Sequence, residues 1–190
     1  PLVAATGLTA YLGNFNHACT EQLVSQAIPP LVLTGRPEFG TGKGSVPGKS
    51  LATVITVLRT RQNAEGGFGL WSASVEPNEF ASVYATQLLI EAKERGIGVQ
   101  ADMTKLALSY LEQLAASHGE SLADVRVRLY AAYLLTRQGM VTTSLLAGQR
   151  ETLEQNYAKE WQGDLAAAYL AASYQLLKQE KQAGELIAPL

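Results

Sequence analysis

The feature that most constrains the fold is a succession of helix-length apolar stripes, each closed by a short glycine-rich or polar segment. Apolar residues recur every three or four positions, as on one face of an α-helix, and one such face comprises Leu51, Val54, Ile55 and Leu58. Residues that favour helix starts precede these stripes, among them Asn78, Asp164 and the capping pair Ser121 and Asp124. We find no convincing strand pattern, so the sequence predicts an all-α protein.

The number and pairing of these helices narrow the architecture. About eight or nine helices of similar length follow one another and are joined by short loops, which is typical of antiparallel helical hairpins. Such hairpins can close into an α/α toroid. Periodicity alone does not distinguish a toroid from a solenoid or an irregular bundle.

Specific helix bounds follow from the same pattern. A short helix is expected over residues 2–12, and another begins after Cys19 and runs to about Ile28, where Pro29-Pro30 is expected to break or kink it. Later helices are expected from Thr142 or Thr143 to about Trp161, and from Asp164 to about Lys181.

Aromatic residues flank and fill a glycine-rich loop at Gly66–Trp71. Because glycine lets the backbone turn tightly and approach other segments closely, we expect this loop to pack the rings of Phe68 and Trp71 into the core. Phe80, on the apolar stripe of the next helix, is also expected to point inward.

Composition limits the class of protein. The chain has 190 residues, of which 47% are hydrophobic and 17% charged, with a formal net charge of −2. This is a globular composition of one-domain size, and it argues against a nucleic-acid or anionic-membrane surface. No apolar run reaches the length of about 18 residues that spans a bilayer. Because the chain starts at Pro1 without Met and ends soon after a helical stretch, residues 1–190 are predicted to be a single domain excised from a larger protein.

The segment Phe15–Gln22 contains the only cysteine of the chain, Cys19. If a helix begins at Thr20, the side chains of Cys19 and Gln22 stand at positions i and i+3 and meet on one face. The thiol can then attack the Gln22 side-chain carbonyl and expel ammonia, which leaves an internal thioester. Since a thiol has a pKa of about 8.5 and leaves readily, this acyl group reacts with nucleophiles that reach it. Taken alone, the segment also fits a small buried cysteine beside a helix start.

Three other side chains are candidates for chemistry. His17 could form a nucleophilic pair with Cys19, but no Asp or Asn partner can be assigned, and a surface imidazole fits better. Glu21 suits an acid–base role or, more simply, a first-turn acid favoured by the helix dipole, and His118 suits a helix C-terminus. One cysteine and two separated histidines do not make a zinc site, so no metal or cofactor is predicted.

Three stretches together resemble the thioester domain of bacterial α2-macroglobulins, relatives of the complement proteins. They are Cys19–Gln22, the segment Arg61-Gln62-Asn63 that leads into Gly66–Trp71, and Phe80–Ala85. The resemblance covers most of residues 1–180. It implies an α/α toroid, of which this chain, having fewer helices than the family, holds an incomplete ring.

The resemblance also implies the site and its use. A thioester would join Cys19 and Gln22, with Phe15 shielding it from water and His17 and Glu21 as supporting neighbours. Its targets would be lysine amines of attacking proteases, and its other partners would be further domains of the same protein. A periplasmic or cell-envelope location is implied as well.

The sequence therefore predicts a single-use covalent trap, an endopeptidase inhibitor and not an enzyme. Asn16–Ala18 departs from the Pro-Tyr-Gly usual in bacterial members, which bears on how efficiently the thioester forms. Two alternatives stay open. One is a non-covalent interaction scaffold with an inert Cys19, and the other is an α/α-toroid enzyme such as a terpene cyclase or protein prenyltransferase. Such an enzyme would need an Asp-rich metal motif or zinc ligands, and the sequence shows neither.

Overall fold

A computed structural model describes residues 18–33 and 51–187. Within these ranges, and apart from a 3-10 turn at Trp161–Gly163, the chain forms eight α-helices: α1 Thr20–Leu33, α2 Leu51–Arg59, α3 Glu79–Glu94, α4 Ala101–Ala116, α5 Leu122–Arg137, α6 Thr143–Asn156, α7 Leu165–Leu176 and α8 Glu180–Ile187. The described residues contain no strand, only an isolated bridge between Gln62 and Phe68. The predicted all-α class is confirmed. The helix expected over residues 2–12, together with Phe15 and His17, lies outside the described residues.

The chain divides into two compact units, residues 1–107 and 108–190. In the first unit α1 packs against α2 and α3. The core of that unit is apolar and includes the fully buried Leu58, Phe68, Leu88, Leu89 and Met103. In the second unit α5 packs against α6 and α7, and α7 packs against α8. No helix within the described ranges is long and apolar enough to cross a membrane.

Helices begin where the sequence places capping side chains. Asn78 Oδ1 accepts a hydrogen bond from the Ala81 backbone N–H at 2.9 Å, ahead of α3. Ser121 and Asp124 form a complete capping box at the start of α5, and Asp164 accepts a hydrogen bond from the first turn of α7. Each cap satisfies N–H groups that have no partner inside their own helix, so local side chains contribute directly to where these helices begin.

The expected break at Pro29-Pro30 does not occur, because α1 runs without interruption to Leu33. Pro29 and Pro30 each lack a backbone N–H, so the helix loses two hydrogen-bond donors. The buried face of α1, which includes Leu23, Val24 and Leu31, packs against α2 and α3. Tertiary packing supplies most of the stability of helices in proteins, and here it outweighs the lost hydrogen bonds.

Two later helices end earlier than predicted. The helix expected to reach Trp161 stops at Asn156, and Trp161 instead begins the buried 3-10 turn. The helix expected to reach Lys181 stops at Leu176, because Lys178 adopts a left-handed φ of 58°. The N–H of Gln179 then bonds back to the last turn of α7, in a helix-ending motif that glycine usually supplies. Because the residue at this position is lysine and not glycine, the sequence did not predict that the helix ends here.

Candidate functional site

Cys19 lies at the N-terminus of α1, one residue before the helix begins. Its backbone N–H donates a hydrogen bond to Gln22 Oε1 at 3.2 Å, and its carbonyl accepts from the Leu23 N–H at 3.0 Å. Cys19 is thus the N-cap residue, and Gln22 is the third helical residue reaching back to it, which is one half of a capping box. The structure brings the two predicted residues together through this contact, and both side chains are half-buried.

The direction of this hydrogen bond fixes the orientation of the Gln22 amide. A backbone N–H can only donate, so the atom that faces Cys19 must be the amide oxygen and not the nitrogen. The carbonyl carbon of the side chain is therefore held beside the cysteine, and the amide nitrogen is free of this contact. That is the arrangement in which a carbonyl is polarised by a fixed donor.

Arg61 forms hydrogen bonds with both residues adjacent to Cys19 in the sequence, Ala18 and Thr20. Its Nη2 donates to the Ala18 carbonyl at 2.6 Å, and its Nη1 donates to Thr20 Oγ1 at 3.1 Å and to the Leu70 carbonyl at 2.9 Å. The residue is only 8% exposed, and we call this set of contacts the Arg61 clamp. It contacts the residues on either side of the cysteine, through the Ala18 carbonyl and the Thr20 hydroxyl, from a position about forty residues away in sequence.

The guanidinium group of Arg61 is a cation that the fold has largely removed from water. Burial holds the pKa of Arg61 below its ordinary value, and the nearby Cys19, when ionised, acts in the opposite direction. Arginine keeps its proton in proteins even so. The buried Nε atom has no hydrogen-bond partner among the residues that the structure describes. A positive charge therefore stands close to the cysteine.

Thr20, the first helical residue, is fully buried against the glycine-rich loop. Its N–H donates to the Leu70 carbonyl at 3.0 Å, and its hydroxyl donates to the Gly69 carbonyl at 2.6 Å. The loop thereby satisfies one of the unpaired backbone N–H groups at the start of α1, and the hydroxyl adds a second hydrogen bond to the same loop. The loop at 66–71 therefore packs against the start of α1 and supports the turn that contains Cys19.

The loop is itself anchored through Phe68, which is 0% exposed. The Phe68 N–H donates to Ser82 Oγ at 2.8 Å, and its carbonyl accepts from the Asn78 N–H at 2.9 Å. Gly66 has a φ of 98°, and a Cβ there would stand 2.0 Å from the Leu106 carbonyl oxygen. Glycine at 66 is thus required both by conformation and by close approach to α4.

Trp71 does not pack into the core as predicted, since 53% of its surface is exposed. Its ring lies 5.8 Å from the Arg61 guanidinium carbon, within range of a cation–π contact. Phe80 is likewise 42% exposed and contacts the Tyr84 ring at 5.6 Å. The prediction that both rings point inward was therefore wrong, whereas the buried position of Phe68 agrees with it.

The positions of the other predicted side chains, Glu21 and His118, indicate no specific role at the site. Glu21 lies half-buried in the first turn of α1. His118 is exposed and follows the end of α4 by two residues, in the second unit. Within residues 18–33 and 51–187, no group of three His, Cys, Asp or Glu side chains could hold a metal ion.

Sequence analysis missed the functional placement of Arg61 and Thr20. Arg61 opens the Arg-Gln-Asn stretch that carries part of the family resemblance, so its position could have been flagged. Its partners are mostly backbone carbonyls, which leave no mark in a sequence. Thr20 gave no separate indication beyond its place after the cysteine.

Comparison with known proteins gives a consistent picture. No protein-family model matches the chain. The chain is 40% identical over 190 residues, its full length, to an alpha-2-macroglobulin homolog of Yersinia pestis, and covers 10% of that protein. It is 35% identical over 210 residues to alpha-2-macroglobulin of Pasteurella multocida, again over all of this chain, and covers 11% of that protein.

Solved structures share the fold. Native alpha-2-macroglobulin from Escherichia coli, from its MG7 domain to the C-terminus, matches 97% of this chain with a TM-score of 0.78 and 22% identity, over 30% of that chain. The Salmonella protein reacted with methylamine matches 97% with a TM-score of 0.77 and 22% identity, over 12% of that chain. Trypsin-activated E. coli alpha-2-macroglobulin matches 92% with a TM-score of 0.73 and 22% identity, over 13% of that chain.

These similarities define a helical segment of a much larger protein, and the likeness agrees with the predicted α/α toroid. The chain belongs to the bacterial alpha-2-macroglobulin family. It spans about a tenth of the length of the Yersinia and Pasteurella proteins.

Proposed function

We propose that this chain is the thioester domain of a bacterial alpha-2-macroglobulin-like protease inhibitor and that Cys19 and Gln22 form its internal thioester. The observation that carries the proposal is the hydrogen bond from the Cys19 N–H to Gln22 Oε1 at 3.2 Å. It holds an amide carbonyl against the backbone of the residue that carries the only thiol of the chain. Proximity and orientation of this kind are what turn an amide and a thiol into reaction partners.

Formation of the bond follows from that geometry. Cys19 Sγ adds to the Gln22 side-chain carbon, the carbon–nitrogen bond breaks, and the amide nitrogen leaves as ammonia with the thiol proton. The atom that accepts the Cys19 N–H is the oxygen, which stays in the thioester. The capping contact therefore need not be broken for the reaction to occur.

In trapping, an amine of the protease replaces the cysteine sulfur on the Gln22 carbon. A lysine amine of an attacking protease bonds to the Gln22 carbon, the carbon–sulfur bond breaks, and Cys19 leaves as a thiolate that takes up a proton. An amide crosslink remains, and the site has been consumed. Water is the competing nucleophile, so shielding suppresses hydrolysis. We assign shielding to Phe15 and supporting roles to His17 and Glu21.

The relatives support this proposal. The solved Salmonella protein had reacted with methylamine, a small amine, and the E. coli protein had been activated by trypsin. Amines and proteases are the two classes of partner that a thioester trap of this kind would meet. In the whole protein we also expect contacts with the other domains, and a periplasmic or envelope-associated location.

Intact mass measurement of the full-length protein tests the proposal. The wild type is expected to be lighter than its sequence by one ammonia, to gain one methylamine on treatment, and to release one titratable thiol as it does so. The Gln22→Glu variant is the matched control. Its carboxylate can still accept the Cys19 N–H and keep the cap, but it offers no ammonia to expel.

The expected result for Gln22→Glu is a sequence-equal mass and no methylamine uptake, with a thermal unfolding midpoint close to that of the wild type. A wild-type mass equal to the sequence, with Cys19 titratable from the start, would contradict the proposal. That outcome would favour the non-covalent interaction scaffold.

A further inference from the structure

Arg61 is a buried cation whose partners are all neutral oxygen atoms. Its side chain bonds the carbonyls of Ala18 and Leu70 and the hydroxyl of Thr20. Within the described part of the chain, no carboxylate pairs with it. Burying a charge without an ion partner is costly, so a purely structural role could be filled more cheaply by a neutral donor.

One of these contacts leads directly to the reacting carbonyl. Arg61 Nη2 donates to the Ala18 oxygen at 2.6 Å. That oxygen belongs to the same peptide group as the Cys19 N–H, which donates to Gln22 Oε1 at 3.2 Å. A cation at the carbonyl end of a peptide draws electron density toward itself and makes the N–H end a stronger donor. Hydrogen bonds in such a chain strengthen one another by about 10–30% each.

We propose that Arg61 is a positioning residue that activates the Gln22 acyl group through the Ala18–Cys19 peptide. The inference rests on the proposed thioester function. In both formation and aminolysis, the carbonyl passes through a tetrahedral intermediate that carries negative charge on Oε1. The Cys19 N–H is aimed at that oxygen, and preorganised donors of this kind stabilise such oxyanions. Arg61 holds the donor in place and increases its strength.

Arginine suits this task better than lysine. The guanidinium group presents its donors in a rigid planar fork, whereas the lysine ammonium is a point charge on a flexible stem. The two terminal nitrogens of Arg61 reach acceptors on both sides of Cys19, and the guanidinium carbon lies 5.8 Å from the centre of the Trp71 ring. A lysine at 61 would keep the charge but could not hold all three acceptors.

The test is the rate of methylamine incorporation per folded molecule, measured by intact mass in the full-length protein. Arg61→Gln removes the charge, and Arg61→Lys keeps the charge but loses the fork. Arg59→Gln is the matched control, because it removes an exposed cation two residues away that pairs with Asp102. Thermal unfolding of each variant gives the folded fraction, which separates a loss of stability from a loss of reactivity.

We expect Arg61→Gln to slow aminolysis about tenfold, less than the 10²–10³-fold cost of removing an oxyanion donor that acts directly. Arg61→Lys is expected to fall between Gln and the wild type, and Arg59→Gln to react like the wild type. If Arg61→Gln does not fold, the folded Arg61→Lys variant decides the question. A wild-type rate per folded molecule in either Arg61 variant would overturn the inference while leaving the proposed function intact. A wild type without any ammonia loss would overturn both.

Discussion

Gly66 offers the sharpest test of how the loop is held beneath the Cys19 turn. Its φ is 98°, and a Cβ at this position would stand 2.0 Å from the Leu106 carbonyl oxygen and 2.4 Å from the carbonyl carbon. Both are backbone atoms of α4, so no side chain can swing aside. Ordinary contact begins at 3.4 Å, and the two backbones would have to separate by about 1.4 Å to accommodate Gly66→Ala.

The magnitude follows from the contacts that such a shift would break. A left-handed conformation costs a non-glycine residue about 1–2 kcal/mol. The Gln62 side-chain amide bridges the two backbones, since Nε2 donates to the Gly66 carbonyl at 3.1 Å and to the Met103 carbonyl of α4 at 2.9 Å. Each of these hydrogen bonds is worth about 1 kcal/mol. Gly66→Ala should therefore reduce the free energy of unfolding by about 3–4 kcal/mol.

Gly96 provides the control, since it has a φ of 73° but an added Cβ would meet nothing within 4 Å. Gly96→Ala should cost only the left-handed term, about 1–2 kcal/mol. Urea unfolding followed by circular dichroism gives both values. If the two variants lose the same stability, the close approach of Gly66 to α4 contributes nothing and the reasoning is refuted.

Three further predictions concern stability. Ser82→Ala removes the acceptor of the buried Phe68 N–H and should cost about 1–3 kcal/mol; an unchanged urea midpoint would contradict it. Ser121→Ala removes the N-cap of α5 and should cost about 1 kcal/mol, measured the same way, with Ser121→Asn expected to restore most of it. The pKa of Asp164 is held below its ordinary value, chiefly by hydrogen bonds from Arg126. Its contribution is therefore present above about pH 4 and is lost as the pH falls through the lowered pKa, so Asp164→Asn should flatten the acid limb of a stability profile.

Local chemistry made much of the fold predictable. Ser121 and Asp124 cap α5 as expected because a capping box needs only residues three apart. The break expected at Pro29-Pro30 is absent because the packing of α1 against two other helices, which no local pattern encodes, sustains the helix. The left-handed Lys178 was missed for a related reason, since lysine rarely takes that conformation.

The candidate site was predictable only in part. The i, i+3 spacing predicted that the side chains of Cys19 and Gln22 meet, and in the structure the Gln22 side chain contacts Cys19 through a capping hydrogen bond from the backbone N–H. Arg61 could not be assigned its partners, because it binds the backbone carbonyls of Ala18 and Leu70. Carbonyls are present in every residue, so only the fold decides which of them an arginine meets.

In the proposed thioester function, the contact between Cys19 and Gln22 serves stability and chemistry with the same atoms. As a cap, the Gln22 oxygen satisfies a donor at the start of α1. As a reaction geometry, it leaves the amide nitrogen available to depart while the oxygen stays where it was. Because capping stabilises the folded chain whether or not the bond forms, the geometry is established by folding and needs no separate step. If the proposed thioester forms, its carbonyl is held by the Arg61 clamp and the neighbouring loop, so we expect its reactivity to depend on Arg61, Thr20 and Gly66.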